Sequence, residues 1–274
     1  MSGQRRATGG TALRWCQRLR AADPLPDNQR MNLLAFDTST DAMSIAVEHS
    51  ADGVDQVWQH TGAGGAQASS TLIPAIQQLL RQAGLQFDQL DAIAFGRGPG
   101  SFTGLRTACS VAQGLAFGAG VPVLPIDTLL AVAEEARLQQ VPAPASLNPP
   151  ERYRVLATLD ARMDQVYAAY YVYSSNIWSQ DKGCSLIFPE NLVLEDGWAM
   201  AGNAFAAYGD RLPASRLPRI LALPTARAML RLAPAMLAAG QAVPADQALP
   251  MYVRDKVAKT TQERMLEKFK KSAA

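Results

Sequence analysis

Gly96-Arg97-Gly98-Pro99-Gly100-Ser101-Phe102-Thr103-Gly104-Leu105-Arg106 decides how this chain is read. The stretch joins an apolar strand, Ala92 to Phe95, to a helix predicted to run to about Gly118. Glycines around a proline make a tight turn that larger side chains would obstruct, because glycine reaches positive φ and proline fixes its own φ. Ser101 or Thr103 can cap the helix, whose first amides then face whatever lies beside the turn, often an anion. The same turn also occurs where backbone must simply pass close to backbone.

Upstream, Asn32 to Phe36 is a short apolar run that ends in Asp37-Thr38-Ser39-Thr40-Asp41, and Ser44 to Glu48 alternates in strand fashion. This is a hairpin with a polar tip. Asp37 there can bind a metal, orient water or accept hydrogen bonds from turn amides. Val54 to His60 makes a third strand, and Thr61 to Gln67 reads as a loop. Ser69 or Ser70 then caps a helix with Leu72, Ile73, Ile76, Leu79 and Leu80 on one face, which is core or partner surface. The helix after the glycine turn carries Gly104, Ala108, Ser110, Ala112, Gly114, Ala116 and Gly118, small residues that let another helix approach closely, within this chain or from another.

Downstream, Pro122 to Ile126 is a strand and Asp127 starts a helix to about Gln139. Residues 141–150 hold four prolines and read as a linker. A second domain is expected over 151–255, following a first over 31–140. Tyr153 to Leu159, Asp160-Ala161-Arg162-Met163-Asp164 and Gln165 to Tyr173 repeat the order strand, Asp-led turn, strand. Strand pieces are expected at Leu186 to Leu194 and Trp198 to Gly202, and an alanine-rich helix at 225–239 that can pack back on the first domain.

The 274 residues are 48% hydrophobic and 18% charged, which suits a chain with a sizeable core. The formal charge of +2 misleads, since residues 1–30 carry six arginines against two aspartates. Met31 stands directly before the first strand, so 1–30 reads as a mis-called start or a disordered leader. Residues 256–274 form a basic tail, a solvated face or a surface for RNA phosphates. No apolar run reaches membrane-spanning length and no secretory signal is present, so the expected compartment is the cytoplasm. Cys16, Cys109 and Cys184 lack CxxC spacing, which indicates neither a disulfide framework nor a zinc site.

Several chemistries fit poorly. No lysine precedes Lys182, so the turn cannot be a Walker A loop. It also lacks the third glycine of a dinucleotide fingerprint at the required place, and Gly98-Pro99-Gly100-Ser101-Phe102 is not a GxSxG elbow. His49 and His60 fall on adjacent predicted strands with no carboxylate or cysteine cluster beside them. No catalytic or metal-ligating set is therefore assigned.

Leu34-Ala35-Phe36-Asp37-Thr38-Ser39-Thr40, Ile73-Pro74, Gly96 to Arg106, Leu159 to Tyr167 and Pro250-Met251-Tyr252-Val253-Arg254 closely resemble the TsaB family, also called YeaZ. The resemblance spans about residues 31 to 255. It implies an α/β protein of two tandem RNase-H-like (ASKHA, actin-like) domains, each a mixed sheet flanked by helices. It further implies a part in forming N6-threonylcarbamoyladenosine at position 37 of tRNAs reading ANN codons. In that family the catalytic subunit is the paralogue TsaD, whose helical histidine pair holds metal. This sequence has no such pair, so the implied role is a non-catalytic scaffold that dimerises with TsaD and helps recruit the ATPase TsaE. Many relatives carry a histidine where Ala68 stands here. The implied dimer surface is built by helices 70–83 and 103–118, with Leu72, Ile76, Leu79, Thr103, Arg106, Ser110 and Gly114 as candidates; a homodimer would use the same helices. Asp37, Thr38, Ser39, Gly98, Gly100 and Ser101 would form a vestigial nucleotide or anion site, with any nucleotide held at the interface with TsaD. tRNA would be met only indirectly or through the basic tail. The rival expectation is a kinase-like or peptidase-like ASKHA enzyme acting alone around a nucleotide.

Overall fold

Leu33–Asp37 forms β1, and all five of its residues are buried. Such a run buries both faces, as the middle strand of a sheet covered on two sides must. The computed structural model describes residues 31–51, 54–140, 152–214 and 216–254. β1 pairs antiparallel with β2 (Ala42–Ala51) and parallel with β4 (Ala92–Gly98). β3 (Val54–Ala63) extends the antiparallel side and β5 (Val123–Asp127) the parallel side, giving the order β3-β2-β1-β4-β5.

Side-chain alternation sends Leu34, Phe36, Ile93 and Phe95 to one face, where they meet Leu72, Ile76 and Leu80 of α1 (Ala68–Ala83) and Ala108 and Ala112 of α2 (Phe102–Ala119). Leu33, Ala35, Ala92, Ala94, Leu124 and Ile126 point to the other face.

The second sheet repeats the first. β6 (Arg152–Asp160), β7 (Val166–Ser174) and β8 (Ile177–Ile187) are antiparallel neighbours, while β9 (Ala199–Gly202) and β10 (Arg219–Leu221) add parallel to β6. The order β8-β7-β6-β9-β10 matches the first sheet strand for strand. Two mixed sheets of the same topology, each flanked by helices, form the α/β architecture that the family resemblance implies, and they carry the internal repeat read from the strand and Asp-led turn.

Two helices lie between the sheets. α3 (Thr128–Gln140) lays Leu129, Val132, Ala133 and Ala136 on the second sheet. Between β9 and β10 stands the short α4 (Phe205–Tyr208). α5 (Ala226–Ala238) packs Met229, Leu230 and Ala233 on Leu33, Ala35 and Ala94 of the first sheet.

Some sequence expectations need correction. Thr61 to Gln67 is not a loop throughout: β3 continues to Ala63, held by the pairing Ala42 to Ala63, and Gly65–Gln67 makes a 3-10 turn. Neither Ser69 nor Ser70 caps α1, whose N-cap position is Gln67. Ser101 holds the N-cap position of α2, but its side chain accepts no capping bond. The strand expected at Leu186 to Leu194 ends at Ile187, because the true edge strand starts at Ile177 and a 3-10 turn follows at Pro189–Asn191. β10 went unread. The expectations for 1–30, for the linker at 141–150 and for the tail at 256–274 lie outside the described residues.

Candidate functional site

The glycine turn closes on its own chain. A Cβ placed on Gly104 would fall 1.8 Å from the Thr38 carbonyl oxygen, and one on Gly96 would fall 1.8 Å from Asp37 Oδ2. Side chains at these positions are excluded by the β1–β2 turn, not by a ligand. The Thr38 hydroxyl donates to the Gly104 carbonyl at 2.7 Å, and the Ser101 amide donates to the Ser39 carbonyl at 2.7 Å. The Gly98 amide donates to Thr128 Oγ1 at 3.1 Å. Two of the turn's amides, those of Gly98 and Ser101, are thus already taken.

Asp37 sits inside this corner, fully buried. Its Oδ1 accepts from the Ser39 amide at 2.8 Å and the Ser39 hydroxyl at 2.7 Å, while Oδ2 has no partner among the described residues. Burial pushes its carboxyl up to about 6, against the opposing pull of the two Ser39 hydrogen bonds. The anion site expected at Asp37, Thr38, Ser39, Gly98, Gly100 and Ser101 is therefore corrected in part. Asp37, Thr38 and Gly98 are shut inside the corner, and only Ser39, Gly100 and Ser101 reach the cleft beside it.

That cleft, of about 660 Å3, runs between the two Asp-led turns. Across it Arg162 reaches Asp41 at 2.8 Å and Asp160 at 3.2 Å. Asp160 Oδ1 accepts from the Arg162 amide and from the Tyr208 hydroxyl, and its own amide donates to Asn203 Oδ1. Arg162, Met163 and Asp164 all take positive φ, which shapes this turn. The segment 250–254 closes one wall. The Met251 amide donates to the Arg97 carbonyl, Arg106 Nε donates to the Tyr252 hydroxyl at 3.1 Å, and Arg254 Nη2 donates to the Ala161 carbonyl at 2.9 Å. Sequence reasoning quoted Pro250 to Arg254 and the Asp160 turn as motifs but gave neither a place at the site. Their contacts join residues far apart in sequence, which no local pattern reveals.

The residues expected to meet a partner divide. Leu72, Ile76 and Leu79 are corrected: they are buried under the first sheet and form its core. Thr103, Arg106, Ser110 and Gly114 stand exposed along one face of α2. Phe117 continues that stripe with 83% of its surface open, and nothing lies within 4 Å of a Cβ built on Gly114. Phe102 flanks it, with the Arg106 guanidinium 3.9 Å from its ring centre. On α1 the exposed residues include Ser70, Ile73, Gln77 and Gln78.

The family model for TsaD, tRNA N6-adenosine threonylcarbamoyltransferase, matches residues 65–272. The tRNA threonylcarbamoyladenosine biosynthesis protein TsaB of Haemophilus influenzae is 34% identical over 84% of this chain and 96% of its own length. The Escherichia coli protein of the same description is 34% identical over 83% and 96%. The chain belongs to the TsaB (YeaZ) family. The solved structure of YeaZ from Pseudomonas aeruginosa shares the fold with a TM-score of 0.70 and 37% identity, covering 81% of this chain and 99% of that one.

Within the TsaB frame, the histidines take structural places. His49 Nδ1 is 2.8 Å from the Ala83 carbonyl and its ring lies near Trp58, while His60 pairs across from Ile45 on β2. Among the described residues no three histidine, cysteine or carboxylate side chains converge as a metal set.

Proposed function

We propose that this chain is a scaffold subunit of the machinery that forms N6-threonylcarbamoyladenosine in tRNA. It docks TsaD through the outward face of α2 with the adjoining face of α1, helps recruit TsaE, and leaves catalysis to TsaD. The names of its relatives support the pathway. The observation that carries the docking role is the exposed stripe Thr103, Arg106, Ser110, Gly114 and Phe117 on a helix whose other side is core. Small residues there let a facing helix come close, and a large exposed aromatic offers an anchor.

The buried corner supports the same reading. Asp37 is fully buried, and the Ser101 and Gly98 amides of the turn are spent on Ser39 and Thr128. The cleft with Ser39, Gly100 and Ser101 in its wall favours a second element of the reading, a nucleotide held once TsaD is docked.

The test is genetic and chemical. In cells depleted of this protein, mass spectrometry of digested tRNA is expected to show loss of threonylcarbamoyladenosine. Both the wild-type chain and Asp37→Asn restore it under the scaffold reading. Failure of a folded Asp37→Asn chain to restore it, together with ATP turnover by the purified wild-type chain alone, would establish the kinase-like reading instead.

A further inference from the structure

A second hollow, of about 380 Å3, opens beside the ends of β4 and β5 and away from the residues of the docking face. Arg97, Asp127, Ser179, Gln180 and Gln241 give it polar walls, and Trp178, Met236 and Val243 an apolar floor. These come from both sheets and from α5 and the residues after it, so the fold assembles the hollow from distant segments.

The polar groups are incompletely used. Arg97 Nε donates to Asp127 Oδ1, yet the Arg97 Nη nitrogens meet no acceptor and Asp127 Oδ2 meets no donor among the described residues. The Tyr171 side chain is 2% exposed, and its hydroxyl has no hydrogen-bond partner among the described residues. A buried hydroxyl left unpaired is rare in natural structures. Asp127 and Arg97 both lie close enough to act electrostatically on that hydroxyl. A concave site that sets charged groups beside an apolar floor can orient a small molecule carrying both.

We propose that this hollow binds a free α-amino acid with an apolar side chain. The charges decide the class. A carboxylate takes the Arg97 Nη donors. The ammonium takes Asp127 Oδ2, and the side chain lies on Trp178, Met236 and Val243. A plain carboxylate offers nothing to Asp127 Oδ2, and a plain amine nothing to the Arg97 Nη donors. This site is separate from the interdomain cleft and does not depend on the scaffold reading.

The probes are L-leucine, 4-methylpentanoate, which lacks the ammonium, and 3-methylbutylamine, which lacks the carboxylate. Each is titrated into the full chain while the indole resonance of Trp178, assigned with Trp178→Phe, is followed by NMR. L-Leucine is expected to shift that resonance saturably, with the other two at least about tenfold weaker, the loss of one charge-assisted hydrogen bond. Asp127→Asn, which keeps the side-chain shape and removes the charge, is expected to weaken L-leucine about tenfold. Arg97→Gln is expected to abolish the shift. No saturable shift up to about 10 mM, equal binding of 4-methylpentanoate, or undiminished binding to both variants would each overturn the proposal.

Discussion

Gly104 and Gly114 share one helix and have opposite surroundings. A methyl on Gly104 would drive into the Thr38 carbonyl, whereas a methyl on Gly114 meets nothing. Gly104→Ala is therefore expected to lower stability by about 3 kcal/mol, the upper range for overpacking. Gly114→Ala should raise it by up to about 1 kcal/mol, the helix preference of alanine over glycine. Urea denaturation midpoints of the two variants check both signs. Asp37 supplies a pH test. Its folded-state value of about 6 lies above the ordinary 3.8, so the fold holds this proton more tightly than the unfolded chain does. Its contribution is fully present below 3.8 and is lost as pH rises through about 6, a change of about 3 kcal/mol. Asp37→Asn is expected to remove that component from the pH profile of stability, measured by denaturation between pH 3 and 7; an unchanged profile would contradict the buried, unpaired carboxyl.

The helices and strands differ in how far local sequence determines them. Thr225 N-caps α5 through a bond from the Ala228 amide at 3.1 Å, and it also donates to Glu135 at 2.6 Å. Thr225→Ala should cost about 1–2 kcal/mol by loss of the cap, read from the same denaturation midpoints. Much of the fold was legible because β1 and β4 are continuous apolar runs and the helix after Gly100 carries a small-residue pattern. β8 was missed although Ser175 and Asn176, both at positive φ, make the two-residue turn that signals a hairpin after β7. Its exposed, polar residues hide the strand, since it is an edge with little to bury. The candidate site was legible in its glycines and its Asp-led turns. Its role stayed open between an anion and close backbone, because sequence shows that glycines are needed, not which of the two needs them. Leu72, Ile76 and Leu79 were misassigned for a related reason: an apolar helix stripe reads alike whether it faces its own sheet or a partner.

α3 and α5 bind the two sheets into one body around Glu134. This carboxylate, 2% exposed, accepts from Arg137 at 2.7 and 2.8 Å, from Trp178 Nε1 at 2.9 Å and from Arg231 Nε at 2.9 Å. Burial alone would raise its carboxyl, but those hydrogen bonds more than offset it and hold the group below the ordinary range. Its contribution is thus present above the ordinary carboxylate value and is lost as pH falls, opposite in sign to Asp37. Glu134→Ala strands two guanidinium groups and is expected to cost about 3–5 kcal/mol, with hydrogen exchange rising together in α3, α5 and β8. A rigid body of this kind suits a chain that presents a helix face to a partner. The most direct measurement of that role is calorimetric titration of TsaD with the wild-type chain and with Gly114→Leu. The scaffold account predicts tight binding by the wild type, a loss of at least about 30-fold for Gly114→Leu, and unchanged melting temperature. Binding of Gly114→Leu at wild-type strength would contradict it.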